Sequence, residues 1–303
     1  MTAKEKYITF CEKHFVQLFF KPYWLNIYNT KWQVIFAEEN NDFVFFICNI
    51  EKKINFKIIR NSFLTPYSGF LFSDNRISDI SKQKLINKVL NQLPSFHELH
   101  IDLHPDLGTQ FTFEPCQTEI KITNILSIAD MQKTFDAYRP SLKRQINKAK
   151  KNIIIQEMDD IELFYELHKK TFLKQELKTI TPFEAFEKTW KVCKKNKCGK
   201  LLFAFDESEN VHAALFLTYD EEQAYYLAGG TDAKFYGSGA MSYLMHYAIN
   251  LSSGEHKKYF DFEGSMLPNV NRFFKSFNPV EIQYTSISKM ESVFLKFLKK
   301  IRA

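Results

Sequence analysis

Alternation of apolar and polar positions sets the first regular pattern along the chain. Trp32 to Ala37, Phe43 to Ile50 and Phe56 to Ile59 are rich in aromatic and β-branched residues and separated by polar turns. That pattern predicts three strands of an antiparallel meander. After the loop "NSFLTPYSGFLFSDN", apolar residues at Ile80, Leu85, Ile86, Val89, Leu90 and Leu93 change the period from that of a strand to that of a helix, and "ELHIDLH" then reads as another strand. The second half repeats this order with different residues. Helices are predicted over Arg139–Asn152, Asp160–Lys174 and Pro182–Lys197, then strands in "GKLLFAFD", "VHAALFLTYD" and "QAYYLAGG", a helix over Gly239–Leu251 and a strand in "KKYFDFEG". Both halves run meander, helix, then a strand able to pair in parallel. The expectation is an α/β (α+β) chain of two domains, 1–126 and 127–303, divided where "TNILSIADM" leaves a strand and enters a helix. No residue-level repeat accompanies the shared order.

Composition agrees with two filled cores: 303 residues are 45% apolar, with 31 Phe and 14 Tyr. The opening "MTAKEKYITFCEKHF" puts charges where a signal peptide needs an apolar run, and the longest apolar stretch falls far short of a membrane span. A soluble cytoplasmic protein is expected, with its five cysteines reduced, because their spacing forms no disulfide framework. Cys193 and Cys198 lack a second pair for zinc, and the strand face His100, Asp102, His104 guarantees no closed shell, so no metal is expected.

Charge adds one local feature. The net charge is +6, yet "RPSLKRQINKAKK" holds six basic residues and no acidic one. A helix of that composition suits the phosphates of a cofactor, an RNA or an anionic surface, and equally a solvated face. Six of the chain's nine glycines lie from Gly229 to Gly264. There, Lys234 to Gly239 reads basic-x-x-G-x-G and is followed by Ala240, between a predicted strand and a predicted helix. Glycines let backbone amides turn inward and the helix start adds partial positive charge, which together can hold a pyrophosphate. A crossover helix between two strands of one sheet puts this turn at the carboxyl ends of the strands, where ligands bind.

This turn resembles the acyl-CoA signature Q/R-x-x-G-x-G/A of the GNAT acyltransferases, with Lys234 in the first place. "FDFEGSMLPNVNRFFKSFNPVEIQY" and "SLKRQINKAKK" resemble the strand, loop and "FK-x-x-F" helix, and the basic helix, of FemABX-type peptidyltransferases and their BioF2/CelD-like relatives. The likeness covers most of residues 135–285. It implies two tandem GNAT-like domains, each a mixed, largely antiparallel sheet flanked by helices. The resemblance further implies acyl-CoA as co-substrate, with the donor phosphates on the backbone of Gly237, Ser238, Gly239 and Ala240. Lys234 would lie beside them, and Leu227 and Gly229 in the acyl-binding strand. The first domain lacks such a turn and would shape the acceptor side. Lys275, at the "FK" position, is implied to stabilise an oxyanion or a phosphate, and Arg144 and Arg272, always charged, are candidate phosphate contacts.

Acyl transfer to an amine also needs a proton route. Asp261 and Glu263 alternate with Phe260 and Phe262, so both are expected on one strand face, with Glu263 as the base. Tyr236 could protonate a leaving thiolate. The first reading is an N-acyltransferase moving an acyl group from acyl-CoA to a small-molecule or cell-wall-precursor amine. The alternatives are an aminoacyl-tRNA-dependent peptidyltransferase on a peptidoglycan precursor and a catalytically silent binding protein of the same fold. DNA is not expected as a partner. No G-x-S-x-G or Walker pattern supports a hydrolase or an NTPase.

Overall fold

The computed structural model describes residues 1–28, 31–53, 55–74, 76–174, 181–264 and 267–292. The chain divides into two compact units, Met1–Lys121 with the segment from Gln283 onward, and Ile122–Ile282. The single cut expected from sequence at 126/127 therefore becomes two crossings, because a late strand returns to the first unit.

In the first unit, α1 (Ala3–Lys13) opens with a capping box in which Thr2 and Glu5 satisfy each other's backbone amides. A short helix α2 (Pro22–Leu25) leads to β1 (Lys31–Glu39), β2 (Asp42–Lys53) and β3 (Phe56–Arg60), an antiparallel meander as expected. The period of two assigns β2 to two cores. Phe45 and Ile47 face Tyr7 and Trp32, whereas Val44, Phe46 and Cys48 face Leu85, Ile86 and Val89. Those last three residues are the buried stripe of α3 (Asp79–Leu90). The stretch read as one loop contains a further strand, β4 (Gly69–Phe72), paired with β2. β5 (Glu98–Asp102) follows α3 and pairs parallel with β3, which completes a crossover.

The second unit takes up the chain within β6 (Gln117–Ser127) and continues through α4 (Met131–Ala137), α5 (Pro140–Ala149), β7 (Ile154–Glu157), α6 (Ile161–Lys174), α7 (Phe183–Asn196), β8 (Gly199–Phe205), β9 (Val211–Tyr219), β10 (Gln223–Thr231), α8 (Ala240–Gly254), β11 (Tyr259–Asp261) and α9 (Pro268–Phe274). Its sheet order is β6-β11-β10-β9-β8-β7, with only β10 and β11 parallel. One face buries Leu142, Ile146 and Ala149 of α5 and Leu244, Met245, Ala248 and Ile249 of α8 against Leu202, Leu215 and Leu217. On α6, Phe164 and His168 pack against Phe186 of α7, and Phe164 reaches Phe216 of β9. Gly230 is where α6 presses on β10, since a Cβ there would strike the Leu167 backbone.

β12 (Val280–Met290) pairs antiparallel with β5 through Ser286–Met290 and so belongs from Gln283 onward to the first unit. Among the described residues no helix is long and apolar enough to cross a membrane.

Candidate active site

The glycine turn is a short 3-10 stretch, Ala233–Ser238, that delivers the chain into α8. Its entry is fixed by Asp232, whose Oδ1 accepts the Lys234 amide at 3.0 Å while Oδ2 pairs with Lys170 Nζ at 2.7 Å. Phe235 stacks flat on His212, 3.9 Å between ring centroids, and His212 Nε2 lies 3.1 Å from Asp206 Oδ2. The two glycines of the motif have different physical roles. Gly239 is left-handed, φ +75°, and a Cβ there would lie 3.0 Å from the Gln145 carbonyl oxygen, so α5 can pack on the start of α8 only over a glycine. A Cβ on Gly237 would meet nothing within 4 Å. Ser238 Oγ accepts the Ala240 amide at 3.1 Å, and among the described residues no acceptor meets the amides of Gly239 and Met241. A helix of 15 residues thus presents its positive end at an open corner. Lys148 Nζ, from the exposed face of α5, lies 3.4 Å from the Gly237 carbonyl oxygen. These groups fit a diphosphate.

Next to this corner the sheet opens. β11 follows β10 only through Gln223–Tyr225, and β10 then runs on to Thr231 without it. A bulge between Tyr226 and Ala228 leaves Leu227 without a β9 partner, and its side chain is buried. Two carboxylates stand at the opening. Asp261 ends β11 and is fully buried, and its Oδ1 accepts Thr123 Oγ1 at 2.6 Å and the Glu263 amide at 2.7 Å. Glu263 is past the strand and left-handed, φ +57°, so the strict alternation expected from sequence stops at Asp261. Its Oε1 is buried with no hydrogen-bond partner. Burial first, and then the Asp261 carboxylate, push the Glu263 carboxyl well above the usual glutamate range. Gly264, φ +52°, keeps this loop against β6, because any Cβ would strike the Ile122 carbonyl.

The remaining residues singled out by sequence differ in burial and in partners. Gly229 supports a side chain, since a Cβ there would collide with the Tyr226 hydroxyl. Burial, and then Glu263, raise the Tyr226 phenol above its ordinary pKa. Tyr236 is 45% exposed within the turn, with its pKa raised by partial burial and then by Asp232. Lys234, Arg144 and Arg272 are exposed. Lys275 pairs with Glu281 at 3.0 Å, both side chains about two-fifths exposed (39% and 41%). In the first unit Asp102 is taken by Lys121 at 2.9 Å, and His104 Nδ1 accepts the Asp106 amide at 3.3 Å. Among the described residues no group of three or more His, Cys, Asp or Glu could hold a metal ion. Sequence reasoning missed Tyr226 and Thr123 at the opening. It weighed Lys148 only as part of a basic face.

Residues 136–273 match the family model of the acetyltransferase (GNAT) domain. The chain superposes on a solved structure of FemX with a TM-score of 0.67 at 12% identity, 98% of each chain being covered. L-PGS from Bacillus licheniformis gives 0.54 at 11% identity over 93% of this chain and 90% of that one. A conserved protein of unknown function from Bacteroides thetaiotaomicron gives 0.56 at 12% identity over 96% and 98%. No curated protein matches the chain in sequence. Residues 136–273 are thus similar to a GNAT acetyltransferase domain. Its full-length fold is the FemX-like one of two tandem GNAT-like units, each a mixed, largely antiparallel sheet flanked by helices.

Proposed function

We propose that the protein is an N-acyltransferase that takes an acyl group from acyl-CoA and passes it to an amine acceptor. One observation carries the reading. The start of α8, where among the described residues no acceptor meets the Gly239 and Met241 amides and Lys148 lies beside Gly237, follows β10 past its divergence from β11, and Glu263 there keeps Oε1 buried with no hydrogen-bond partner. The donor's diphosphate would rest on those amides, and its acyl arm would enter along Leu227 and Ala228. Chemistry then needs little more than proton management. The neutral amine attacks the carbonyl carbon and the C–N bond forms. As the bond to the leaving sulfur breaks, Glu263 gives that sulfur its proton, and the resulting carboxylate takes the proton released from nitrogen. Asp261, fully buried and hydrogen-bonded, supports this exchange without entering it. A cytoplasmic setting suits the reading, because that is where CoA is at hand and where free thiols such as the five cysteines here stay reduced.

A second donor has its own support. The exposed face of α5 carries Arg144 and Lys148, the latter beside the turn, and L-PGS and FemX share the fold over most of the chain. An aminoacyl-tRNA would use that face for its backbone, with an ester oxygen as leaving atom and a peptidoglycan-precursor or lipid amine or hydroxyl as acceptor. Calorimetry with CoA, acetyl-CoA and a charged transfer RNA on one preparation separates the two. Saturable CoA binding that is lost on adding a bulky side chain at Gly237 supports the first. Binding of the RNA alone replaces it with the second, and binding of neither defeats both.

A further inference from the structure

The buried Asp261 has a hydrogen-bond environment that proton transfer by Glu263 does not by itself require. β6 and β11 pair antiparallel through Ile125 and Asp261, and the ladder continues as the Phe262 amide donates to the Asn124 carbonyl at 3.0 Å. This register puts Thr123, itself fully buried, against the end of β11, where its hydroxyl meets Asp261 Oδ1 at 2.6 Å. The Glu263 amide adds a second donor to the same oxygen at 2.7 Å, and Gln223 Nε2 lies 3.4 Å from Oδ2. Donors converging on a carboxylate favour its ionised form, and a second carboxyl close by in a dry site then cannot ionise as well.

We infer that Thr123 is a positioning residue for proton transfer: by holding Asp261 as the carboxylate it keeps the proton on Glu263 in the resting protein. The inference rests on the reading of Glu263 as the proton-transferring group, but its test does not need turnover. Two titratable side chains interact electrostatically with Glu263. β11 contributes Asp261, and β10 contributes Tyr226, the other titratable neighbour. On β6, Thr123 meets Asp261 and Asn124 meets Asn271 of α9 at 3.1 Å, and none of these three polar side chains titrates. Among the described residues no lysine or arginine forms an ion pair with Glu263. The charge acting on it is that of Asp261, and Thr123 is a buried side chain that donates directly to that carboxylate. Removing the hydroxyl makes Asp261 easier to protonate, weakens the repulsion at Glu263, and lets Glu263 ionise at lower pH.

The experiment uses the full-length protein with side-chain carbon-13 glutamate, the Glu263 resonance being assigned by its disappearance in Glu263→Gln. Wild type shows this carboxyl titrating well above the other glutamates. In Thr123→Val its midpoint falls by about one pH unit, a roughly tenfold loss of proton affinity, and in Thr123→Ser it returns to the wild-type position. Asp261→Asn, which removes the charge with little change in size, moves it further the same way and serves where Thr123→Val folds poorly. An unmoved Glu263 midpoint in Asp261→Asn, or in a folded Thr123→Val, overturns the inference. Failure of the functional reading looks different: the titration behaves as stated, but CoA does not bind, or Glu263→Gln turns over normally.

Discussion

Lys148 Nζ lies 3.4 Å from the Gly237 carbonyl oxygen across 89 residues of sequence, so the basic face of α5 and the glycine turn form one surface. The six basic residues of that stretch are thus not only a solvated helix side. Lys148→Gln is expected to weaken CoA binding by roughly three- to tenfold, the scale of one charge-assisted contact, and to flatten its dependence on salt between about 50 and 200 mM. Calorimetry at the two ionic strengths reads both effects. An unchanged affinity would assign Lys148 to the surface alone.

The two glycines of the turn should separate binding from folding. Gly239→Ala forces a side chain into a left-handed residue 3.0 Å from the Gln145 carbonyl, which costs about 1–2 kcal/mol for the conformation alone. A clear drop in melting temperature is expected. Gly237→Ala meets open space and is expected to leave the melt in place while reducing CoA affinity. Matched thermal melts and titrations of the two variants test the assignment, which fails if Gly237→Ala binds as wild type does.

Burial and Asp261 hold the Glu263 carboxyl well above its ordinary pKa, and this has a definite sign for stability. Below the usual glutamate range the folded and unfolded chains both carry the proton. As pH rises the unfolded chain loses it first, so stability falls until the folded carboxyl ionises as well. Glu263→Gln removes this dependence. Its melting temperature relative to wild type should therefore rise from about pH 5 to about pH 8. A constant difference across that range would mean that Glu263 ionises normally.

Lys275 offers a contrasting case. The family resemblance gives it a part in catalysis, whereas its Nζ is paired with Glu281 at 3.0 Å in a solvent-accessible position. An exposed pair of this kind is worth about 1 kcal/mol or less. Lys275→Gln should accordingly change the melt little and leave donor binding and turnover near wild type. Loss of turnover with an unchanged melt would restore the catalytic role.

How much was legible in the sequence depended on where each element finds its stabilising partners. β1 to β3, β8 to β10, α3 and α5 to α8 carry their own signal, because an apolar stripe of the right period faces a core along each of them. β4 and β7 are four residues each, too short for a period to register. β12 carries Thr285, Ser286, Ser288 and Lys289, polar residues that become a strand through pairing with β5. The glycine turn into α8 was readable because glycine spacing is a local backbone requirement. The opening at β10 and β11 was readable only in part. Asp261 and Glu263 are neighbours in sequence, but Thr123 reaches them from 138 residues away, and nothing in "KITNIL" announces a hydroxyl aimed at a carboxylate. Gly229 shows the opposite error, a glycine attributed to a ligand whose space is filled by the hydroxyl of Tyr226.

The return of β12 to β5 has a consequence for biosynthesis. On the ribosome, Ile122–Ile282 is complete and free to condense before the nascent polypeptide has supplied the strand that β5 requires. Until Val280–Met290 leaves the exit tunnel, β5 keeps a bare backbone edge of the kind that recruits stray chains, so translation speed and chaperone cover while that stretch is made should govern soluble yield.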